Sequence, residues 1–378
     1  MIEAKDFVAA ATRHGYALWT GVPCSYLKSF INFVIGSPQL RYVSAANEGD
    51  AVAIATGAEL GGMGAIVMLQ NSGLGNAVSP LTSLNVIFRL PVLLIVSQRG
   101  APDDAADEPQ HALMGRITTR LLETMDIAWE HFPTDVAAIE PCLERARAHM
   151  AASGNCYALV MRRGAVADWP APALPAATAA PPATIDAPPP AAFRRHEFLR
   201  RIQGLATERD LVVATTGYTG RELYALADRP NQFYMVGSMG CASSFALGLA
   251  LARPDRRVLV LDGDGAALMR LGALAAIGQV APPNLVHIVF ANGAHESTGG
   301  QAVASQSANF PAVAVALGYR RACFVADPAD LDAAFAEPSP GPCLLHVPVV
   351  AGALPDLPRP LVTPPEVAMR LKNLLETK

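Results

Sequence analysis

Short apolar runs recur along the chain at 16–22, 40–46, 64–70, 91–97 and 156–162, and again at 210–216, 232–237, 257–262, 285–292 and 343–349. They are rich in β-branched residues and carry little polar alternation, which predicts strands buried on both faces. Amphipathic stretches of helical spacing lie between them, for example at 49–60, 114–125, 268–280 and 330–335. Strands alternating with helices predict parallel sheets covered on both sides. The fold class expected is therefore α/β, as two three-layer α/β/α domains. The two halves share this rhythm, although no repeat is visible in the sequence itself.

One segment breaks the pattern. From 169 to 192 nearly every residue is Ala, Pro or Thr, with Pro181-Pro182 and Pro188-Pro189-Pro190 inside it. Proline cannot donate to a ladder or occupy a helix interior, so an extended connector is expected. The predicted organisation is a domain at 1–165, a linker at 166–192 and a domain at 193–378. Composition agrees with a well-packed chain: of 378 residues, 51% are hydrophobic and only 16% charged.

The net charge is −4, and no basic cluster exceeds Arg194-Arg195 or Arg320-Arg321, which argues against nucleic acid or an anionic membrane as partner. The longest apolar runs, at 90–96 and 245–252, are too short to span a bilayer. Cysteines at 24, 142, 156, 241, 323 and 343 form no Cys-x-x-Cys pair, so neither a disulfide framework nor a zinc site is expected. The first residues, Met-Ile-Glu-Ala-Lys-Asp-Phe, carry acids where a signal peptide needs a basic start, and a cytoplasmic protein is the expectation.

Chemistry enters where the run 257–262 ends in Asp262-Gly263-Asp264-Gly265. In α/β folds ligands sit at the carboxyl ends of strands. The next apolar run ends at Asn292, and a right-handed crossover would bring it beside Asp264. A carboxylate, an amide oxygen and a loop carbonyl are hard donors suited to Mg²⁺ held together with phosphates. The flanking glycines let the backbone approach a diphosphate, and a following helix would add its N-terminal dipole. Gly-Asp-Gly alone reads as an ordinary strand-ending turn. The asparagine at a second strand end turns it into a candidate metal–diphosphate site.

Gly263-Asp264-Gly265 with Asn292 resembles the diphosphate- and magnesium-binding motif of thiamine diphosphate (ThDP) enzymes, which usually carry Asn-Asn where this chain has Ala291-Asn292. The resemblance implies that Asp264, Asn292 and the carbonyl of Ala294 hold Mg²⁺, with Gly263, Gly265 and Ala266 against the diphosphate. Thr216-Gly217-Tyr218 is similar to a diphosphate-contacting turn. Gly237-Ser238-Met239-Gly240 looks like the loop in which a carbonyl, here that of Gly237, accepts from the cofactor's amino group. In that loop an apolar residue, here Met239, wedges between the cofactor's rings. Ala46-Asn47-Glu48-Gly49 looks like the site of the cofactor-activating glutamate, Glu48. The first half would be a pyrimidine-binding (PYR) domain and the second a diphosphate-binding (PP) domain, with no middle domain. Such enzymes share their sites across a homodimer or higher homo-oligomer, so Glu48 would act on a cofactor held by Asp264 of a second copy.

Four further strings resemble the phosphonopyruvate decarboxylases, close relatives of the sulfopyruvate decarboxylases: Gly21-Val-Pro-Cys-Ser-Tyr-Leu-Lys28, Asp107-Glu-Pro-Gln-His111, Leu268-Met-Arg-Leu-Gly272 and Asn292-Gly-Ala-His-Glu-Ser-Thr-Gly-Gly-Gln301. They imply decarboxylation of a small anionic 2-oxo acid, 3-phosphonopyruvate, to phosphonoacetaldehyde and CO₂ in phosphonate biosynthesis, with sulfopyruvate as the alternative. Lys28, Arg99 and Arg270 are the candidate cations for the substrate's second anionic group. His111 and His295 are candidate proton carriers. Ser25, Asn71, Ser72 and Gln110 are further polar candidates for the substrate. A dinucleotide-dependent oxidoreductase would need Gly-x-Gly-x-x-Gly after a strand, and the segment from Gly237 lacks it. A non-catalytic subunit of ThDP type would lack Glu48 or the metal ligands.

Overall fold

The structure, a computed structural model, describes residues 1–105, 107–172, 187–336 and 340–376. The chain forms two compact units, Met1–Ala177 and Thr178–Lys378. The middle of the predicted linker, 173–186, lies outside the described residues. Its beginning packs on the first unit: Val166 bridges Ile2, the Trp169 ring meets Phe33 at 5.0 Å, and the Trp169 carbonyl accepts from Asn32 at 3.0 Å.

The first unit holds a six-stranded sheet of β1 (Tyr16–Gly21), β2 (Arg41–Ser44), β3 (Gly64–Gln70), β4 (Leu93–Ser97), β5 (Ala128–His131) and β6 (Tyr157–Met161). The second holds β7 (Leu211–Ala214), β8 (Gln232–Tyr234), β9 (Val258–Gly263) and β10 (Leu285–Ala291). A small hairpin of β11 (Ala294–His295) and β12 (Gln301–Ala302) follows, then β13 (Arg321–Phe324) and β14 (Cys343–Pro348). Within each six-stranded sheet all pairings are parallel. The buried central strands match the long apolar runs because both their faces are covered by helices.

Two strands of the six-stranded sheets, β5 and β13, lie outside the predicted runs, as does the β11–β12 hairpin. β5 and β13 are both sheet edges, half-buried along most of their length, and their mixed sequences (Ala-Trp-Glu-His and Arg-Ala-Cys-Phe) lack the apolar signature. The helix expected over 268–280 is a second correction. It is two helices, Asp264–Met269 and Ala273–Val280, separated by a break at 270–272. The first starts at the metal-candidate residue itself.

Strand order is β2-β1-β3-β4-β6-β5 in the first unit and β13-β14-β10-β9-β7-β8 in the second. Counted from each unit's own first strand, and leaving out the hairpin, the two orders are identical. The repeat that the sequence hides is thus present in the topology. Each sheet reverses its winding beside its first strand, between β1 and β3 and between β7 and β9. Such a switch point opens a crevice at the carboxyl edge. The first sheet is backed by a cluster of Phe7, Trp19, Phe30 and Phe132, with ring centroids 4.8–6.5 Å apart. Among the described residues the cysteines form no disulfide, and no helix is long and apolar enough to cross a membrane.

Candidate active site

In the second unit the crevice beside β7 and β9 is lined by every predicted cofactor residue except Gly237, which lies two residues before Met239. β9 and β10 run in register, with Phe290 opposite Gly263, so Asp264 and Asn292 leave the sheet from neighbouring strands. Thr216, Gly217 and Tyr218 line the crevice from the end of β7, and Met239 from the loop after β8. Gly263, Asp264, Gly265 and Ala266 line it from β9, and Asn292, Ala294 and His295 from β10.

Asp264 is 6% exposed. Its Oδ1 accepts from the Gly265 amide at 2.7 Å and its Oδ2 from the Gly293 amide at 2.8 Å. Burial raises its carboxyl pKa above the ordinary value, while those amides pull the other way. Asn292 Oδ1 accepts from the Ala294 amide at 3.0 Å, across a turn in which Gly293 has φ +73°. A carboxylate, an amide oxygen and a carbonyl at one pair of strand ends form the donor set a small hard cation takes.

The glycines have separate reasons. A Cβ on Gly265 would lie 2.4 Å from Cε1 of His295, so only glycine lets the imidazole lie against this turn. Gly217, at φ +97°, turns the chain from β7 into the helix Tyr218–Leu226, whose first amides open at the crevice. Ser238 takes a left-handed φ of 51° without being glycine, immediately before Met239. That conformation is held by its surroundings at the point where the wedge candidate is presented.

In the first unit Glu48 opens the helix Glu48–Leu60, capped by Asn47, whose side chain accepts from the Gly49 amide. Glu48 Oε2 accepts from Asn76 Nδ2 at 2.8 Å. A Cβ on Gly73 would lie 2.4 Å from Glu48 Oε1, so the carboxylate occupies the space that glycine leaves.

The substrate candidates fare unequally. Arg99 donates from Nε and Nη2 to Asp107 at 2.9 and 2.5 Å and sits over the Tyr26 ring. The guanidinium holds the Asp107 carboxyl well below the usual carboxylate range. Asn71 is fully buried and donates to the Arg99 carbonyl and to Thr118, so its side chain fixes the ends of β3 and β4. Gln110 donates to Glu108 at 2.6 Å, and His111, 6% exposed, sits 3.7 Å from the same carboxylate. Ser72 accepts from Gln70, while Ser25 is exposed beside Cys24. Lys28 is exposed, with Nζ 3.6 Å from Asp168. Arg270, in the other unit, lies where helix Asp264–Met269 ends, packed close to Gly240.

Sequence reading missed Asn76, because nothing local marks it as the partner of Glu48. It also missed Arg195, which lines the second-unit crevice through a buried ion-pair network with Glu222 and Glu296. The one signal was the Arg194-Arg195 pair at the end of an otherwise apolar linker.

Family models for the N-terminal and C-terminal TPP binding domains of thiamine pyrophosphate enzymes match residues 3–122 and 215–347. The chain is 44% identical over 382 residues to a phosphonopyruvate decarboxylase of Streptomyces viridochromogenes, which covers 100% of this chain and 96% of that one. It is 32% identical over 297 residues to a sulfopyruvate decarboxylase of Methanosarcina acetivorans, covering 76% of this chain and 75% of the other. Its fold resembles the crystal structure of benzoylformate decarboxylase from Polynucleobacter necessarius, with TM-score 0.72 and 14% identity over 94% of this chain and 100% of that one. Matched in both halves, and along its whole length by a decarboxylase, the chain belongs to the thiamine pyrophosphate enzymes.

Proposed function

We propose that the protein decarboxylates 3-phosphonopyruvate to phosphonoacetaldehyde and CO₂, with ThDP and Mg²⁺, in phosphonate biosynthesis. One observation carries the reading. The Asp264/Asn292 strand-end pair occurs in a chain 44% identical, from end to end, to a phosphonopyruvate decarboxylase.

In this reading the second unit is the PP domain. Asp264, Asn292 and the Ala294 carbonyl hold Mg²⁺, while Gly263, Gly265, Ala266, Thr216, Gly217 and Tyr218 surround the diphosphate. Met239 and the Gly237 carbonyl orient the cofactor's rings. When bound, ThDP supplies the electron sink for loss of CO₂ from a 2-oxo acid.

The first unit is the PYR domain. Glu48, steadied by Asn76, shares a proton with the cofactor's pyrimidine ring. His295, against Gly265 in the crevice, and His111, buried beside Glu108, are the groups that move protons at the reacting carbon. Lys28, Arg99 and Arg270 remain the candidates for the phosphonate, with Ser25, Ser72 and Gln110 as neutral donors. Asp107 already compensates the charge of Arg99, and Asp168 stands 3.6 Å from Lys28 Nζ. Asn71 contributes by fixing the backbone at Arg99. The functional assembly is a homodimer or larger homo-oligomer in which each site combines Glu48 of one chain with Asp264 of another.

Side-by-side turnover of phosphonopyruvate, sulfopyruvate and pyruvate tests the substrate. The expected order is phosphonopyruvate first, sulfopyruvate second with one charge fewer, and pyruvate last. Equal or faster turnover of sulfopyruvate, or a preference for pyruvate, would overturn the substrate and leave the cofactor assignment standing.

A further inference from the structure

We propose that Arg195 is a cofactor-binding residue, donating from Nη2 to a diphosphate oxygen of ThDP. The inference rests on the reading of the second-unit crevice given above. Arg195 opens the helix Arg195–Leu205, its side chain is 8% exposed, and it lines the crevice together with Thr216, Gly217, Asp264 and Ser297. Its Nε donates to Glu222 at 2.7 Å and its Nη1 to Glu296 at 3.0 Å. Nη2 is buried and finds no hydrogen-bond partner among the described residues.

The two carboxylates are themselves fixed from behind. Glu222 Oε1 accepts from the Leu354 amide at 3.0 Å, and Glu296 Oε1 accepts from the Gly352 amide. Nε and Nη1 of the planar guanidinium are therefore held in place, and Nη2 is left with donors to fill. An unsatisfied buried donor is costly, and a guanidinium fork suits phosphate oxygens. With two carboxylates around one guanidinium, the cluster does not attract a diphosphate by net charge. The contact is a directed hydrogen bond. Because Glu296 adjoins His295, the same residue also ties the loop bearing Asn292 and Ala294 to the start of the helix.

The test compares dissociation constants for ThDP and thiamine monophosphate at fixed Mg²⁺, by titration calorimetry. It uses the wild-type protein, Arg195→Lys, and the charge-matched double variant Arg195→Gln/Glu222→Gln. A directed contact to the diphosphate predicts that the preference for ThDP over the monophosphate shrinks about tenfold or more, the loss expected for a charge-assisted bond. A purely structural role would move both constants together, and a wild-type preference in a folded variant would overturn the proposal. If the wild-type protein itself fails to bind ThDP, the crevice assignment is what fails. A structure of the wild-type protein with ThDP and Mg²⁺ decides the matter without variants. Nη2 bonded to a diphosphate oxygen supports the proposal, and Nη2 bonded only to water or protein overturns it.

Discussion

Glu48 has its place because Gly73, across the fold, has no side chain. Replacing Gly73 by Ala pushes a methyl into the flexible end of Glu48, which can swing aside with little effect on packing. Gly73→Ala should therefore keep its melting temperature near wild type while losing activity on the order of a hundredfold, the scale of a misplaced acid–base group. Full activity in a folded Gly73→Ala would show that Glu48 is not needed where it stands. His346 gives a pH prediction. Burial lowers its pKa to about 4, against an ordinary 6.5, so the unfolded chain takes up the proton first as pH falls. The stability this neutral imidazole allows is whole above about 6.5 and lost between there and about 4, by roughly 3 kcal/mol. His346→Leu should flatten that acid limb in urea melts between pH 7 and pH 4.5; an unchanged limb would contradict it. At this scale the sequence yields residue types but not partners. The places of Asp264 after a strand and of Glu48 at a helix start were legible, because short apolar runs and helical spacing mark those ends. The partners of Asn71 were not legible, because its hydrogen bond to Thr118 depends on a helix far along the chain.

Between elements, the parallel pair β9 and β10 carries the metal candidates, and beneath them lies a buried clip. Asp262 Oδ2 is 3.2 Å from His287 Nε2, and His287 Nδ1 is 3.3 Å from the Tyr319 hydroxyl, all three fully buried. Removing one partner leaves a buried carboxylate without its imidazole. His287→Leu should then destabilise the protein by about 3 kcal/mol or more, read from the urea midpoint, with Asp262→Asn/His287→Leu recovering part of the loss. A loss below about 1 kcal/mol would mean the pair is not holding the strands. The central strands were legible because burial on both faces makes them uniformly apolar. β5 and β13 were not, since an edge strand mixes wet and dry positions. The break at 270–272 was hidden too, because the apolar spacing continues across Gly272.

At the level of the whole molecule, two units of identical strand order carry different chemistry at corresponding loops. The loop after β2 leads to Glu48, and the loop after β8 leads to Met239. Sequence rhythm hinted at this duplication, but only topology displays it, because side chains diverge faster than strand order. If sites are shared between copies, mixing inactive Glu48→Gln with inactive Asp264→Ala should restore part of the activity, since a mixed dimer assembles one intact site. A monomer active at high dilution would contradict that. The central claim, that the β9–β10 strand ends hold ThDP through a metal, meets its most direct test in calorimetric titration of ThDP into metal-stripped protein, with and without Mg²⁺. Wild type should bind only when Mg²⁺ is present, and Asp264→Ala should bind in neither condition; ThDP binding by Asp264→Ala at wild-type affinity would contradict the account.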